Sequence, residues 1–154
     1  ERFYGCGSPV TAAALEVALI NVARHEVHDR VRLVHSDLFG RLEDRLYDLI
    51  VCNPPYVSDK LMAGLPAESL HEPAQAFAAG SDGLDIVRRL LSKARQHLTD
   101  HGTLVVEVGS AAAAVEGTWS AVPFTWLASA HGESAVLVLT ASELDHYAGQ
   151  FQRS

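Results

Sequence analysis

The fold of this 154-residue chain is decided by the stretch Asp48-Leu49-Ile50-Val51-Cys52-Asn53-Pro54-Pro55-Tyr56. Its first five residues form an almost continuous apolar run, which is typical of a parallel strand buried on both faces. The two prolines have a fixed φ and no N–H, and each holds the residue before it in an extended conformation. The sequence therefore predicts a buried strand that ends in a stiff elbow at the carboxyl edge of a sheet, where open α/β folds bind ligands.

The elbow, defined as Asn53, Pro54, Pro55 and Tyr56, carries groups suited to one kind of chemistry. The Asn53 side chain and the Pro54 carbonyl are hydrogen-bond acceptors, and Tyr56 supplies a flat face. An amide or exocyclic amine nitrogen is a poor nucleophile because its lone pair is delocalised. Two acceptors on its N–H bonds raise its electron density and orient it toward an incoming methyl group. The elbow therefore predicts methylation of a conjugated nitrogen, whereas an isolated N-P-P would only be a turn.

The remainder of the chain alternates between strand and helix patterns, which predicts a parallel sheet with an antiparallel finish. The first helix is expected to have Ser8 as its N-cap, and the second to start at Asp82 and to end at Asp100-His101-Gly102. The predicted strands are 31–35, 47–52, 103–108, 124–128 and 135–140, and the predicted helices are 11–25, 82–98, 110–119 and 142–151.

Composition excludes several classes of function. Apolar residues make up 48% of the chain, which is enough for one domain core, and 12 basic against 19 acidic residues give a net charge of −7. The acidic balance argues against direct nucleic-acid binding. No apolar run approaches the ~18 residues that span a bilayer, so no membrane partner is expected. Two cysteines, Cys6 and Cys52, are too few for a disulfide framework, which predicts a reducing, cytoplasmic compartment.

Metal binding is not expected either, although the chain has eight histidines. The pairs His25-x-x-His28 and His97-x-x-x-His101 lack a cysteine or carboxylate partner at ligand spacing. These histidines are therefore interpreted as solvated side chains.

Five motifs together resemble the N(5)-glutamine methyltransferase family, which carries N-P-P-Y at the elbow position. Ser36-Asp37-Leu38-Phe39 is similar to the family's S-D-x-F loop, and Glu107-Val108-Gly109 to its E-V-G strand end. His71-Glu72-Pro73 and Gly80-Ser81-Asp82-Gly83-Leu84 resemble its H-E-P and G-x-D-G-L segments. Residues 62–66, 122–127 and 137–140 are most similar to the branch that modifies ribosomal protein L-three. The sister branch, which modifies peptide-chain release factors, fits them less well.

The resemblance implies a Rossmann-like, class I S-adenosylmethionine-dependent methyltransferase fold and a ribosomal protein substrate. It implies that Asn53, Pro54 and Tyr56 are catalytic and that the whole elbow binds the substrate amide. Cofactor binding is implied for Asn53, for Asp37 through the adenine amine and for Leu38 against the ring. A turn aspartate and a core leucine are the alternative reading of Asp37 and Leu38.

Two further positions have both a functional and a structural interpretation. Glu107 lies at the end of a predicted strand, at the same sheet edge as the elbow. Its side chain is either a site residue or a structural carboxylate. His71 and Glu72 belong either to a lid over the target or to an ordinary loop.

The N-terminal part departs from the family. The family has a glycine-rich loop after its first strand and an acidic residue after its second strand. Neither feature has a match here, because Gly5-Cys6-Gly7 resembles the glycine-rich loop only weakly and no predicted strand precedes it. Neither Cys6 nor Pro9, the two residues that alternative alignments place at the acidic position, is a carboxylate. The fold is therefore expected to lack its first two strands. Our hypothesis is that residues 1–154 are the C-terminal part of one catalytic domain, without the N-terminal substrate-recognition domain. We further expect that residues 1–12 are not authentic and that the chain alone is inactive.

Two other functions are compatible with the residues. The elbow also suits the exocyclic amine of adenine, so an adenine-amine methyltransferase of DNA or RNA is one alternative. A degenerate methyltransferase-like module that only binds a partner is the other, since it would not need the glycine loop.

Overall fold

A computed structural model describes residues 3–6, 11–42, 44–57, 79–128 and 135–152. The chain forms two compact units. One consists of Glu1–Ser8 with Leu46–Ser154, and the other is Pro9–Arg45. The predicted elbow lies in the first unit, whereas Asp37 and Leu38 lie in the second.

The first unit contains a five-stranded mixed sheet in the order β1-β2-β3-β5-β4. The strands are β1 (Phe3–Cys6), β2 (Tyr47–Cys52), β3 (Leu98–Glu107), β4 (Thr125–Ala128) and β5 (Ala135–Thr140). Strands β1, β2 and β3 are parallel, and β5 is antiparallel to both β3 and β4. In the parallel part Cys6 lies beside Cys52 and Cys52 beside Val106, so three strands end at one edge. The predicted parallel sheet with an antiparallel finish is confirmed.

Strand β1 corrects the expectation that no strand precedes the first helix. Phe3–Cys6 pairs with β2 over four residues, in a segment whose glycine and cysteine predicted a turn. A four-residue segment with Gly5 at its centre has little strand preference of its own. Its conformation follows from hydrogen bonding to β2, which a local pattern does not reveal.

The core contains apolar side chains of the sheet, of helix α2 (Asp85–Ala94) and of the C-terminal segment, including Trp119, Leu144 and Phe151. Ile50, Leu104 and Leu139 on the sheet are completely buried, as are Val87 and Leu90 on α2. Burying each such side chain contributes roughly 1.5–3 kcal/mol relative to exposure. The sheet is therefore a rigid base for groups at its edge.

Helix α2 is shorter than predicted at both ends. A 3₁₀ turn (Arg95–His97) follows it, and Leu98 already belongs to β3, as do residues 100–102. A Cβ atom on Gly102 would lie 2.9 Å from the Tyr47 carbonyl oxygen, so this glycine allows close approach of β2 and does not end a helix. The N-cap of α2 is Leu84 and not Asp82. The Asp82 carboxylate instead accepts the Leu84 N–H at 3.1 Å and binds Arg88.

The C-terminal elements agree with the predictions except at their boundaries. After a 3₁₀ turn (Gly109–Ala111) comes helix α3 (Ala112–Thr118). The single predicted last helix is two short ones, α4 (Ala141–His146) and α5 (Ala148–Phe151). Residues 131–133, between the last two predicted strands, lie outside the described residues. No helix within the described ranges is long and apolar enough to cross a membrane.

The second unit contains helix α1 (Ala12–Arg24). Its N-cap is Thr11, whose hydroxyl accepts the Ala14 N–H at 3.2 Å, and not Ser8, which lies outside the described residues. The predicted strand at 31–35 is wrong, since these residues have no regular structure. Apolar alternation forms a strand only beside a partner strand, and the described part of this unit contains none.

Cys6 and Cys52 form a disulfide, which corrects the expectation of two free cysteines. The parallel register of β1 and β2 places their Cα atoms 4.6 Å apart. Their separation of 46 residues in sequence gave no indication of this contact.

Candidate active site at the carboxyl edge of the sheet

The elbow begins where β2 leaves the sheet. The Asn53 N–H donates to the Cys6 carbonyl at 3.0 Å, which extends the β1–β2 ladder by one residue. Pro54 and Pro55 are both buried and have no N–H to continue it. The chain therefore turns away from the sheet at a fixed point, and the Asn53 side chain is left exposed at the edge.

The elbow carries two hydrogen-bond acceptors, the Asn53 side-chain oxygen and the Pro54 carbonyl. Among the described residues no hydrogen-bond donor is assigned to the Pro54 carbonyl or to the Asn53 side-chain amide. Asn53, Pro54 and Pro55 have no titratable side chains. The arrangement can therefore hold an –NH₂ group by neutral hydrogen bonds without changing its own charge with pH.

Tyr56 connects the elbow to the end of β3. Its ring is half-buried and lies against Gly109, two residues beyond that strand. A Cβ atom on Gly109 would lie 2.6 Å from two ring carbons of Tyr56 and 2.9 Å from its hydroxyl oxygen. The N-P-P-Y and E-V-G motifs therefore meet in space. Sequence reasoning identified both motifs but not their contact.

Asp37 and Leu38 lie in a tight turn of the second unit. The Ser36 hydroxyl accepts the Arg41 N–H at 2.9 Å, and the Gly40 N–H donates to the Asp37 carbonyl at 3.1 Å. Leu38 has φ +46°, a conformation that costs a residue with a side chain of order 1 kcal/mol. Such backbone strain is frequent at functional sites. Asp37 is exposed, and a role of both residues in cofactor binding stays a prediction.

Three other predicted residues are less informative. Glu107 is half-buried at the end of β3, where it pairs with Val136 of β5. His71 and Glu72 lie outside the described residues. Neither a site role nor a structural role is favoured for these three side chains.

The shifted pKa values lie outside the elbow. The Arg88 guanidinium, through its hydrogen bonds at 3.0 and 2.6 Å, lowers the pKa of Asp82 to about 2. Burial, and to a lesser extent the neighbouring Tyr47, raises the pKa of Tyr4 in β1. Asp82 fixes the turn before α2 and Tyr4 packs in the sheet, so both shifts are structural.

One cleft of about 290 Å³ opens in the C-terminal part of the first unit. It is lined by Glu116, Ser120, Val122, Pro123, Phe124 and Trp126. No residue of the elbow lines this cleft. The candidate site is therefore the end of β2 with the acceptors of the elbow, and not this cleft.

Solved structures define the class of fold. The chain is similar to the ribosomal protein L11 methylase from Lactobacillus delbrueckii subsp. bulgaricus, with a TM-score of 0.53 and 18% identity over 86% of this chain and 55% of that one. The delta-N METTL16 MTase domain gives a TM-score of 0.57 and 19% identity over 90% of this chain and 62% of that one. The fold is that of the class I S-adenosylmethionine-dependent methyltransferases, as predicted.

Sequence comparison is more specific than the fold. Residues 8–78 match the family model "Methyltransferase small domain". The ribosomal protein uL3 glutamine methyltransferases of Francisella tularensis and Burkholderia pseudomallei are each 43% identical to the chain over 91% of its length. That of Bradyrhizobium diazoefficiens is 44% identical over 88%.

The chain is therefore similar to the ribosomal protein uL3 glutamine methyltransferases over 88–91% of its own length, and the predicted resemblance is confirmed. It spans 45%, 48% and 43% of the length of these three relatives.

Proposed function

We propose that this chain is the elbow-bearing part of an S-adenosylmethionine-dependent enzyme that methylates a glutamine side-chain amide of ribosomal protein uL3. The observation that supports this most is the elbow itself, where an exposed Asn53 lies at the end of β2 beside a Pro54 carbonyl that has no donor among the described residues. The names of the relatives support the proposed substrate class. Neither a DNA or RNA substrate nor a purely binding role is favoured by a described contact.

The proposed mechanism assigns one role to each elbow residue. The Asn53 side-chain oxygen and the Pro54 carbonyl accept the two N–H bonds of the target amide. Pro55 keeps the turn rigid, and Tyr56 supports the planar amide. These contacts orient the nitrogen lone pair and raise its electron density as the methyl group approaches, so that alignment lowers the barrier. The elbow contains no carboxylate or histidine, so the N–H proton that the amide loses once the N–C bond has formed would pass to solvent, and the methyl donor would leave as a neutral thioether.

The cofactor role of the second unit is also a proposal. S-adenosylmethionine supplies an activated methyl group on its sulfonium. An exposed carboxylate at Asp37 and an apolar side chain at Leu38 fit an adenine amine and ring, and both belong to one strained turn. Asn53 is the third proposed cofactor contact.

The domain organisation is a further proposal, which the partial coverage of the relatives supports. Because the chain spans about 45% of its relatives, we propose that it is the C-terminal part of a longer methyltransferase and does not catalyse methyl transfer alone. Its proposed partner is a uL3-type ribosomal protein, and this partner, not the two cysteines, is what supports the proposed location in the cytoplasm, since Cys6 and Cys52 form a disulfide. Direct nucleic-acid binding is not part of the proposal, in keeping with the net charge of −7.

The test is Asn53→Ala in the full-length protein. Loss of one of two amide acceptors should reduce methyl transfer to uL3 by about 100-fold or more, as removal of one positioned hydrogen-bond partner does elsewhere. Transfer of a labelled methyl group from S-adenosylmethionine measures the rate. Asn21→Ala, the same change on exposed helix α1, is the matched control and should keep full activity. Full activity in Asn53→Ala would refute the proposed mechanism.

A further inference from the structure

We propose that Gly109 is a positioning residue that sets the Tyr56 ring and thereby the shape of the elbow; this inference rests on the proposed function. Gly109 touches neither acceptor, and its effect is exerted through Tyr56. The E-V-G motif alone does not explain why its third residue is glycine, and the proposed contact with Tyr56 gives that glycine a role.

The contact leaves no room for a side chain. A Cβ atom on Gly109 would approach the Cε2 and Cζ atoms of Tyr56 to 2.6 Å, well below van der Waals distance. The obstacle is the hydroxyl-bearing end of the Tyr56 ring, and this ring is half-buried. Any residue other than glycine at position 109 therefore requires either the ring or the backbone to move.

The backbone at Gly109 is held on both sides. Its φ of +46° is in the left-handed region that favours glycine. The preceding residue, Val108, is fully buried, donates its N–H to the Ala135 carbonyl at 2.9 Å and accepts the Ala111 N–H at 2.9 Å. With this segment fixed, a side chain at position 109 displaces the Tyr56 ring.

Movement of the ring reaches the site directly. Tyr56 follows two prolines with fixed φ, so a shift of its ring changes the surface beside Asn53 and the Pro54 carbonyl. Misplacement of a positioned group by about 1 Å can reduce a rate by about 100-fold. A change confined to this contact should therefore affect turnover more than affinity for the methyl donor.

The first experiment measures activity of the full-length Gly109→Ala variant. We expect kcat for methylation of uL3 to fall by roughly 10- to 100-fold, with KM for S-adenosylmethionine changed by less than about twofold. Gly117→Ala, where an added Cβ meets nothing within 4 Å, should keep wild-type values. An unchanged kcat in Gly109→Ala would overturn the proposal. A loss of kcat/KM that comes entirely from KM for the methyl donor would overturn it as well.

The second experiment tests the contact without relying on activity. In a double-mutant cycle with Tyr56→Ser, the free energy of unfolding lost through Gly109→Ala should shrink once the ring is absent. Gly80→Ala is the strain control, because Gly80 has φ +82° and the three atoms nearest to an added Cβ there belong to the carboxylate of Asp85. Its cost should be the same with and without Tyr56. Additive costs for Gly109→Ala would overturn the ring contact.

The two experiments separate the two proposals. A wild-type protein that methylates no glutamine refutes the proposed function, while the cycle still decides whether Gly109 sets the ring. Coupling in the cycle with an unchanged kcat refutes only the positioning role.

Discussion

At the scale of single residues, Asn53 uses different atoms for structure and for the proposed chemistry. Its N–H completes the ladder with the Cys6 carbonyl at 3.0 Å, whereas its side-chain amide is exposed. Truncation to alanine keeps the backbone hydrogen bond and removes only the amide. Loss of activity in Asn53→Ala should therefore be accompanied by little loss of stability.

Asp82 is the residue at which pH should affect stability. Its pKa is lowered from 3.8 to about 2 by hydrogen bonds from Arg88. Because the folded state depresses this pKa, the stabilisation is present above pH 3.8 and is lost as pH falls toward 2. The carboxylate is 40% exposed, so solvent screening limits the contribution to about 0.5–1 kcal/mol. Asp82→Asn should cost this amount at pH 7 and almost nothing near pH 2.

Urea denaturation at the two pH values measures the difference. Asp29→Asn removes an exposed aspartate of the second unit and serves as the charge-matched control. A cost of Asp82→Asn that is the same at pH 2 and pH 7 would contradict the ion pair as its cause.

At the scale of elements, sequence patterns predicted those strands and helices whose signal is local. β2 is recognisable because its apolar run stops at two prolines, and β5 because apolar residues fill its length. β1 was missed and 31–35 was wrongly assigned for the same reason, since a short strand exists only beside a partner. Leu98 fits the apolar face of the predicted second helix as well as a strand. The close approach of β2 and β3 at Gly102 explains why it belongs to strand β3, and the local pattern does not show that approach.

The candidate site shows the same division. The elbow and its acceptors could be predicted because proline restricts the backbone through covalent geometry alone. The packing of Tyr56 on Gly109 joins segments far apart in sequence, and it depends on the β2–β3 register. No local pattern encodes such a contact.

The β1–β2 pair carries a prediction of its own. The Cys6–Cys52 bond closes a loop of 46 residues, for which loop entropy gives about 2–4 kcal/mol of stabilisation. Reduction with dithiothreitol should therefore lower the thermal midpoint by roughly 4–16 °C. A Cys6→Ser/Cys52→Ser variant should not respond to the reductant. Two free thiols per chain, titrated in denaturant without reductant, would contradict the bond.

At the scale of the whole molecule, the chain divides into two units, and the apolar residues of the second unit are the less completely buried. Asn53 belongs to the sheet unit and Asp37 and Leu38 to the unit Pro9–Arg45. In that second unit helix α1 has no buried residue, and Val17, Leu19 and Ile20 are each more than half exposed. Apolar helix surface of this kind is normally covered in a folded enzyme. Coverage of only about 45% of the relatives is consistent with further contacts supplied by a longer chain.

Calorimetric titration with S-adenosylmethionine tests whether the 154 residues suffice to build the cofactor site. We expect no measurable heat of binding for this chain and one-to-one binding for the full-length protein, because the proposed cofactor contacts within the chain are limited to Asp37, Leu38 and Asn53. Asp37→Ala in the full-length protein should weaken binding by about tenfold, the equivalent of about 1.4 kcal/mol for one charge-assisted hydrogen bond. One-to-one binding to the 154-residue chain would instead mean that its own residues, β1 included, complete the pocket, and the proposal that it is only part of the catalytic domain would be wrong.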